Sequence, residues 1–238
     1  MINCPDPSCR ALNPEGRKRC QVCQSTLPHR YLWGVGEGLA TLKPGDLFNQ
    51  RYLLKSGRIF LDTQPGLVPE SLPDLPDFLM PYLHLSAYPL HTPRPYAVMP
   101  SSDQAPHKAC ILMLESSALS LSMALSTTPS TAADMAAIDS NYSAHSPSFS
   151  PELLPELATS WAEAPPLRQL SWLWQIACLW DAFDAEQVAA TLLTPAFLRV
   201  DGSILRLLEL ASPPVLTTAD SLPQRTVQPD SQVSRSGA

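Results

Sequence analysis

The chain has 238 residues and 45% hydrophobic content, which is enough to form an apolar core in one or two domains. The 26 prolines against nine glycines exclude long regular sheets and predict many short elements joined by stiff, extended connections. The net charge of −6 is unevenly spread, because residues 1–60 hold nine Lys and Arg against four Asp and Glu, which predicts a basic head on an acidic body.

Four cysteines lie within the first 23 residues, in two close pairs. Cys4 and Cys9 have the spacing Cys-x4-Cys, and Cys20 and Cys23 have the spacing Cys-x-x-Cys. Each pair offers two thiolates from one tight turn, and a short basic loop brings the turns together, as a tetrahedral Zn²⁺ site requires. Because a site of four thiolates is closed, we predict a structural Zn²⁺ in a zinc ribbon over residues 1–28.

Two other interpretations of the cysteines stay open at this stage, namely two disulfides or a redox-active pair of Cys20 and Cys23. The chain enters the motif at once, with no signal peptide before Cys4, which argues against an oxidising compartment. The residues before Cys20 are too polar for a thioredoxin-like site. His29 follows the motif and is predicted to be a solvated loop residue rather than a ligand, since four thiolates are already present.

Short strands and turns are expected in the first half of the chain after the cysteines. Alternate glycines at Gly34, Gly36 and Gly38 give only a weak phosphate-loop signal, because no strand precedes them and no helix follows them. The predicted segments, in chain order, are a linker at 29–44, two short strands around a turn at 55–57, proline-broken turns and extended pieces at 62–106, and a buried strand at 108–116.

The second half of the chain is expected to contain helices and one hairpin. Ser150 before Pro151 has the pattern of an N-cap followed by proline at the first helical position. The predicted segments are a flexible insertion at 117–150, a helix from Ser150 to about Glu163, a longer helix after Pro165, a hairpin with its turn at Asp201 and Gly202, and a disordered tail at 213–238.

The longer helix carries three tryptophans and is the strongest element of the sequence. Its apolar residues point in several directions, which is typical of a central helix packed against several neighbours. Core packing is therefore predicted for the set that recurs at helical spacing: Leu170, Leu173, Trp174, Ala177 and Trp180. Cys110 and Cys178 stand in apolar surroundings and are predicted to be buried free thiols.

Several segments together resemble pieces of a protein kinase. Residues 45–63 (GDLFNQRYLLKSGRIFLDT) resemble the first two strands of the N-lobe, and residues 110–116 (CILMLES) resemble the strand into the hinge, with Glu115 at the hinge glutamate. The tryptophan helix resembles the long C-lobe helix, and residues 194–210 (TPAFLRVDGSILRLLEL) resemble the hairpin that holds the catalytic and metal loops. The resemblance implies a degenerate kinase-like domain over residues 45–212.

The kinase catalytic positions are replaced in this chain. Kinase catalysis needs a glycine-rich clamp, a strand-borne lysine, an aspartate base, and Asn and Asp ligands for Mg²⁺. Here the clamp position has one glycine, no His-Arg-Asp occurs, and the nearest lysine is Lys108. Phe197 takes the place of the metal-binding Asn, and Glu209 begins the Glu-Leu-Ala that replaces Asp-Phe-Gly. The resemblance therefore implies a domain without phosphotransfer activity.

The whole arrangement resembles the N-terminal half of cyanobacterial zinc-ribbon proteins whose C-terminal half is a metal-dependent (PPM-type) serine/threonine phosphatase. The residues that carry the resemblance are the cysteine motif, residues 45–67, the Tyr-Pro-Leu-His-Thr-Pro at 88–93 and residues 166–210. It implies an α+β fold with a zinc ribbon before the incomplete kinase-like domain. The aspartate motifs of the phosphatase half are absent, so we expect a regulatory fragment, consistent with a truncated gene product.

The leading functional prediction is a non-catalytic zinc-binding regulatory module with an unidentified protein partner. The alternative is nucleic-acid binding by the ribbon, through the basic side chains Arg10, Arg17, Lys18 and Arg19. No pairing of a nucleophile with a base is readable, so an enzyme is not expected. No apolar run is long enough to span a bilayer, and we expect a soluble, cytoplasmic protein that does not enter membranes.

Overall fold

The computed structural model describes residues 1–36, 39–71, 75–100, 110–124 and 148–211, and the fold is a mixed α+β arrangement made mostly of sheet. The predicted tail at 213–238, the middle of the predicted insertion and Lys108 lie outside the described residues. The described strands are β1 (Ile2–Asn3), β2 (Leu12–Asn13), β3 (Tyr31–Val35), β4 (Leu47–Phe48), β5 (Tyr52–Ser56), β6 (Ile59–Asp62), β7 (Arg94–Pro100), β8 (Cys110–Glu115), β9 (Leu119–Ala124), β10 (Ser148–Leu153), β11 (Leu198–Asp201) and β12 (Ile204–Leu207).

Three described α-helices accompany these strands: α1 (Met80–His84), α2 (Leu157–Trp161) and α3 (Pro166–Ala185). Short 3₁₀ turns lie at Leu39–Thr41, Asp77–Leu79, Leu85–Ala87, Ala189–Leu193 and Pro195–Phe197. The helix predicted after Pro165 is therefore confirmed as α3, which begins with Pro166 at its first position, where the missing amide hydrogen costs nothing.

The centre of the fold is a six-stranded antiparallel sheet in the order β4-β5-β6-β3-β8-β7. The two strands predicted around residues 55–57 are confirmed as β5 and β6, and Gly57 gives their turn its positive φ of 53°. The predicted buried strand is confirmed as β8, which lies between two neighbours and is covered on both faces. Burial on both faces explains why its sequence is apolar without alternation.

Residues 29–44 are not a linker, because they contain β3, which pairs with β6 on one side and β8 on the other. Trp33 points to one face of the sheet and Leu32 to the other, and both are buried. Gly34 is required within this strand, since a Cβ there would lie only 2.7 Å from the ring of Phe60. Gly34, one of the three glycines that suggested a loop, therefore marks close packing inside a central strand. Gly36 follows the strand, and Gly38 lies outside the described residues.

The larger apolar core lies on one face of the sheet and includes residues from α1, α3 and the β11–β12 hairpin. Trp172, Leu179 and Phe183 are the α3 side chains buried in it, and Trp172 is only 1% exposed. The predicted hairpin is confirmed, with Asp201 paired to Ile204 across a turn in which Gly202 has a φ of 60°. A smaller core of Leu32, Leu39, Tyr52, Leu54, Phe60, Ala97, Met99, Ile111 and Met113 covers the other face.

The prediction that α3 is buried on most sides is wrong. Trp174 is 66% exposed, and the other residues of the predicted buried set are exposed too: Leu170, Leu173, Ala177 and Trp180. Cys178 lies on the same exposed side, so the prediction of a buried thiol fails there, whereas Cys110 is half-buried. A helix that is apolar in every direction does not reveal from its sequence which side the sheet covers.

The predicted helix from Ser150 to Glu163 is also wrong over its first part. Residues 148–153 form β10, which pairs antiparallel with β9 in the register of Leu153 with Leu119. The helix is limited to Leu157–Trp161. The two ends of the predicted insertion are therefore strands of one hairpin, and Pro151 fits because an outer strand need not donate every amide.

A buried ion pair fixes the loop that follows β6. The Arg51 guanidinium donates from Nε and Nη2 to the two Asp62 carboxylate oxygens, both at 2.9 Å, and Tyr96 donates its hydroxyl to Asp62 at 2.6 Å. Arg51 also donates to the carbonyls of Leu67 and Val68, each at 3.0 Å. With every partner satisfied, this pair holds residues 63–70 against the sheet.

Candidate metal centre

The structure brings the four predicted cysteine side chains together. Their Sγ atoms all lie within 4.8 Å of one another, and the closest pairs are Cys4 with Cys23 at 3.4 Å and Cys9 with Cys20 at 3.7 Å. Sulfurs bound at 2.3 Å around a tetrahedral Zn²⁺ are separated by about 3.8 Å, so the cluster has the dimensions of such a site. All four thiols are free in this structure, so the alternative of two disulfides is not seen, whereas a redox-active pair of Cys20 and Cys23 stays a hypothesis.

Each cysteine pair is carried by a tight turn that ends in the same way. The amides of Cys9 and Arg10 both donate to the Asp6 carbonyl at 3.0 Å, and the Gln24 amide donates to the Cys20 carbonyl at 3.2 Å. The residue after the second cysteine has a positive φ in both turns, 46° at Arg10 and 61° at Gln24. This left-handed conformation is uncommon for residues other than glycine, and here it turns the chain so that both sulfurs of a pair face inward.

Donors from the protein point at the sulfurs. The Val22 amide donates to Cys20 Sγ at 3.4 Å, and Asn13 Nδ2 lies 3.6 Å from the same atom. Asn13 is fully buried, donates to the Ala11 carbonyl at 2.7 Å and accepts from the Gln21 amide at 2.8 Å. In the sequence, an asparagine between two cysteine pairs gives no signal of this role. It orients both halves of the cysteine cluster.

The surroundings separate the four thiols in acidity. Hydrogen bonding from the Cys23 backbone lowers the pKa of Cys20 to about 6, and the bond to the Ser25 hydroxyl lowers the pKa of Cys23. Burial raises the pKa of Cys4 to about 12. Thiolates are the metal-binding form of cysteine, so Cys20 offers the most readily available ligand of the cluster.

The cysteine-bearing segment, residues 1–28, is docked on the sheet and does not stand apart from it. Ile2 is fully buried and belongs to the same apolar core as Trp33 and Trp172. The Asn3 amide donates to the Thr63 carbonyl at 2.8 Å. Gly66 packs against the first cysteine turn, since a Cβ there would lie 2.5 Å from Cα of Pro5.

The loop between the two cysteine pairs makes a second attachment. Glu15 accepts from Lys55 Nζ at 2.8 Å and from the Tyr31 hydroxyl at 3.3 Å, which joins the loop to β5 and β3. His29 is half-buried rather than solvated as predicted, because its Nε2 accepts from the Gly16 amide at 3.2 Å and its Nδ1 contacts the Leu27 carbonyl at 3.1 Å. The histidine holds this loop and does not belong to the cysteine cluster.

Glu209, which the kinase resemblance aligned with a metal-binding position, is held by contacts within the fold. Glu209 accepts a hydrogen bond from Trp33 Nε1 at 2.6 Å and lies 3.9 Å from Arg58 Nη1. It therefore connects the β12 end to the sheet. Within residues 1–36, 39–71, 75–100, 110–124 and 148–211, only the four cysteines form a group of three or more His, Cys, Asp or Glu suited to a metal ion.

No protein-family model matches this chain, and neither a curated protein nor a solved structure matches it. Among the helices within the described ranges, none has the length and apolar character required to cross a membrane.

Proposed function

We propose that this chain is a non-catalytic regulatory module that binds one structural Zn²⁺ through Cys4, Cys9, Cys20 and Cys23. The observation that carries the proposal is the convergence of four free sulfurs within 4.8 Å, with separations close to those of a tetrahedral thiolate site. Sulfur ligands select Zn²⁺ over harder cations such as Mg²⁺ and Ca²⁺. When bound, a metal with four protein ligands supplies structural cross-linking and has no open position for a substrate.

The regulatory part of the proposal rests on the resemblance to the front half of zinc-ribbon phosphatases and on the use of the kinase-like positions. Glu209 is already engaged by Trp33, so it is not poised as a metal ligand. Gly57, at the position of the kinase glycine clamp, occupies a tight β-turn, and a Cβ added there would meet no other atom within 4 Å. These features support a scaffold that presents surfaces to a partner protein.

Metal analysis of the purified chain tests the proposal. We expect one zinc per chain by elemental mass spectrometry after dialysis, and less than a tenth of that in Cys9→Ser. Cys178→Ser is the matched control, because that thiol is exposed and lies outside the cluster. Iron or no metal in the wild-type chain would refute the zinc site. Transfer of the ATP γ-phosphate to any acceptor by the purified chain would refute the non-catalytic assignment.

A second candidate, nucleic-acid binding, is favoured by one observation. Arg17, Lys18 and Arg19 are all exposed on the loop between the cysteine pairs, and none of them forms an ion pair with another described residue. Such a cluster suits contacts to phosphates, which weaken with salt. Replacing the three residues by alanine should abolish a salt-dependent gel shift, while Arg168→Ala on α3 should not. Absence of any shift by the wild-type chain at low salt would dismiss this candidate.

A further inference from the structure

The closest sulfur contacts of the cysteine cluster join the two turns and not the two cysteines of one turn. Cys4 Sγ lies 3.4 Å from Cys23 Sγ, and Cys9 Sγ lies 3.7 Å from Cys20 Sγ. A disulfide bond is about 2.05 Å long, so the sulfurs of Cys4 and Cys23 need to approach by only about 1.4 Å more. The arrangement that suits a metal therefore also suits two disulfides between the turns, although the Cys-x-x-Cys spacing suggests a bond within one turn.

Each of these two contacts pairs a half-buried cysteine with a buried one. Cys9 and Cys23 are half-buried, whereas Cys4 is 4% exposed and Cys20 is fully buried. An oxidant from solvent reaches a half-buried sulfur first, and the oxidised sulfur then needs a second thiolate close by to form a disulfide. Here the buried cysteine of the opposite turn supplies that second sulfur.

The contact of Cys4 with Cys23 is favoured as the first to become covalent. It is the shorter of the two, and the buried sulfur of the other contact is engaged by donors. The Val22 amide donates to Cys20 Sγ at 3.4 Å, and Asn13 Nδ2 lies 3.6 Å from the same atom. Hydrogen bonds of this kind stabilise a thiolate and lower its nucleophilicity. Cys20 should therefore react with its partner later than Cys4 does.

We infer that hydrogen peroxide oxidises this cluster across the two turns and joins Cys4 to Cys23 first and Cys9 to Cys20 second. The Cys23 thiolate attacks one peroxide oxygen, so that an S–O bond forms, the O–O bond breaks and hydroxide leaves. The Cys4 thiolate then attacks the Cys23 sulfur, which forms the S–S bond and breaks the S–O bond with loss of a second hydroxide. Two protons from solvent convert the two hydroxides to water. Two thiolates are thus oxidised by two electrons, and one peroxide is reduced.

The disulfides would cross-link the same two turns that the metal joins. After the first bond, the cluster retains the thiolates of Cys9 and Cys20, which are too few for a closed site of four ligands, so the metal is released. This part of the inference rests on the proposed zinc site. The bond between Cys4 and Cys23 closes a loop across 19 positions and restricts the unfolded chain. We expect an oxidised, metal-free chain in which residues 4–27 stay ordered against the sheet.

Peptide mapping of the full-length Cys178→Ser chain tests the pairing, since that substitution removes an exposed thiol outside the cluster. Trypsin separates residues 1–10, which contain the first cysteine pair, from residues 20–30, which contain the second. After a stoichiometric amount of hydrogen peroxide and alkylation of the remaining thiols, the two peptides should be linked. We expect the linked form to be at least about tenfold more abundant than an internally bonded peptide 20–30, with the alkyl groups on Cys9 and Cys20. The untreated chain is the control.

An internally bonded peptide 20–30 as the main product would overturn the inference and favour a redox-active pair of Cys20 and Cys23. Sulfinic or sulfonic acids without a disulfide would overturn it as well. A chain that contains no zinc before oxidation but still forms the link between the turns would refute the zinc site and leave the pairing intact.

Zinc and order are measured in the same samples. A colorimetric chelator should detect free zinc as the first disulfide forms, and dithiothreitol should restore zinc binding. Residues 4–27 should keep their amide protection in the oxidised chain and lose it in the reduced chain treated with EDTA. A disulfide that forms without release of the bound zinc, or equal loss of protection in both samples, would refute the replacement of the metal by disulfides.

Discussion

The cysteine-bearing segment and the six-stranded sheet are stabilised by different means. The segment buries an apolar cluster of only Cys4, Cys20 and Leu27, and two of those three are metal-ligand candidates. The sheet has an apolar core on each face, with many fully buried aliphatic and aromatic side chains. A segment of 28 residues cannot bury enough surface to fold alone. If the proposed zinc is bound, the order of the segment depends on that metal and on its attachments to the sheet.

The comparison also shows that the two regions are not independent. Ile2 is part of the sheet's larger core, and the Asn3 amide bonds to Thr63 beside the buried Arg51 and Asp62 pair. The first strand therefore belongs to both regions. The rest of the segment touches the sheet mainly through Glu15 and Pro5, so loss of the metal should release most of the segment while leaving the sheet folded.

The largest expected effect is loss of the metal centre by Cys20→Ser. Structural zinc contributes about 10–16 kcal/mol to small zinc-dependent folds, far more than the apolar cluster of this segment can replace. We expect zinc content to fall more than tenfold and amide protection at residues 4–27 to disappear in hydrogen exchange. Protection of β5, β6 and β8 should remain, with Cys178→Ser unchanged throughout. A single cooperative loss of protection in both regions would contradict the proposal that the cysteine-bearing segment and the sheet are stabilised by different means.

The second effect concerns the larger core beside the sheet and compares two tryptophans of α3, one buried and one exposed. Trp172→Ala removes a side chain that is 1% exposed in the larger core and should lower the free energy of unfolding by about 3–5 kcal/mol. For a domain of this size that corresponds to roughly 6–20 °C in Tm. Trp174→Ala, at 66% exposure, should cost less than about 1 kcal/mol when measured at low protein concentration.

Zinc content is the control measurement for Trp172→Ala and Trp174→Ala. Both variants should retain the metal, because neither tryptophan belongs to the cysteine cluster. Equal destabilisation by the two substitutions would show that α3 is covered on both sides within the monomer.

Local chemistry made several elements predictable from the sequence. The hairpins β5–β6 and β11–β12 have glycine turns between apolar runs, and β8 is a continuous apolar run of strand length. The four cysteines were predictable as a group because their spacing alone suits one metal. In each case the residues that predict the element are close together in the sequence.

The errors arose where distant residues decide the structure. Gly34 reads as a loop residue, but the ring of Phe60, from a strand that pairs later in the chain, requires it. Ser150 and Pro151 read as a helix start, but pairing with β9 overrides that preference. The buried side of α3 is decided by where the sheet lies, and the burial of Asn13 depends on the fold of the second cysteine turn.

The smallest effect tests the attachment between the two regions, the ion pair of Lys55 with Glu15. Their side chains are 27% and 23% exposed, so solvent screens the pair and its coupling energy should be about 0.2–1 kcal/mol. A double-mutant cycle of Lys55→Ala and Glu15→Ala isolates this coupling from the separate hydrogen bond of Glu15 to Tyr31. The readout that matters is the rate of zinc release to a chelator.

Zinc release should accelerate by a few-fold in either single variant. The double variant should release zinc at nearly the same rate as Glu15→Ala, because Lys55 has already lost its partner in that single variant. The midpoint of sheet unfolding should hardly move. The pair of Arg94 with Glu115 is the matched control, since it joins β7 to β8 wholly within the sheet and leaves the metal untouched. If the Lys55 and Glu15 substitutions changed the midpoint of sheet unfolding but not the rate of zinc release, the loop between the cysteine pairs would stabilise the sheet rather than the metal site. The order of the segment would then depend on Ile2 and the metal alone.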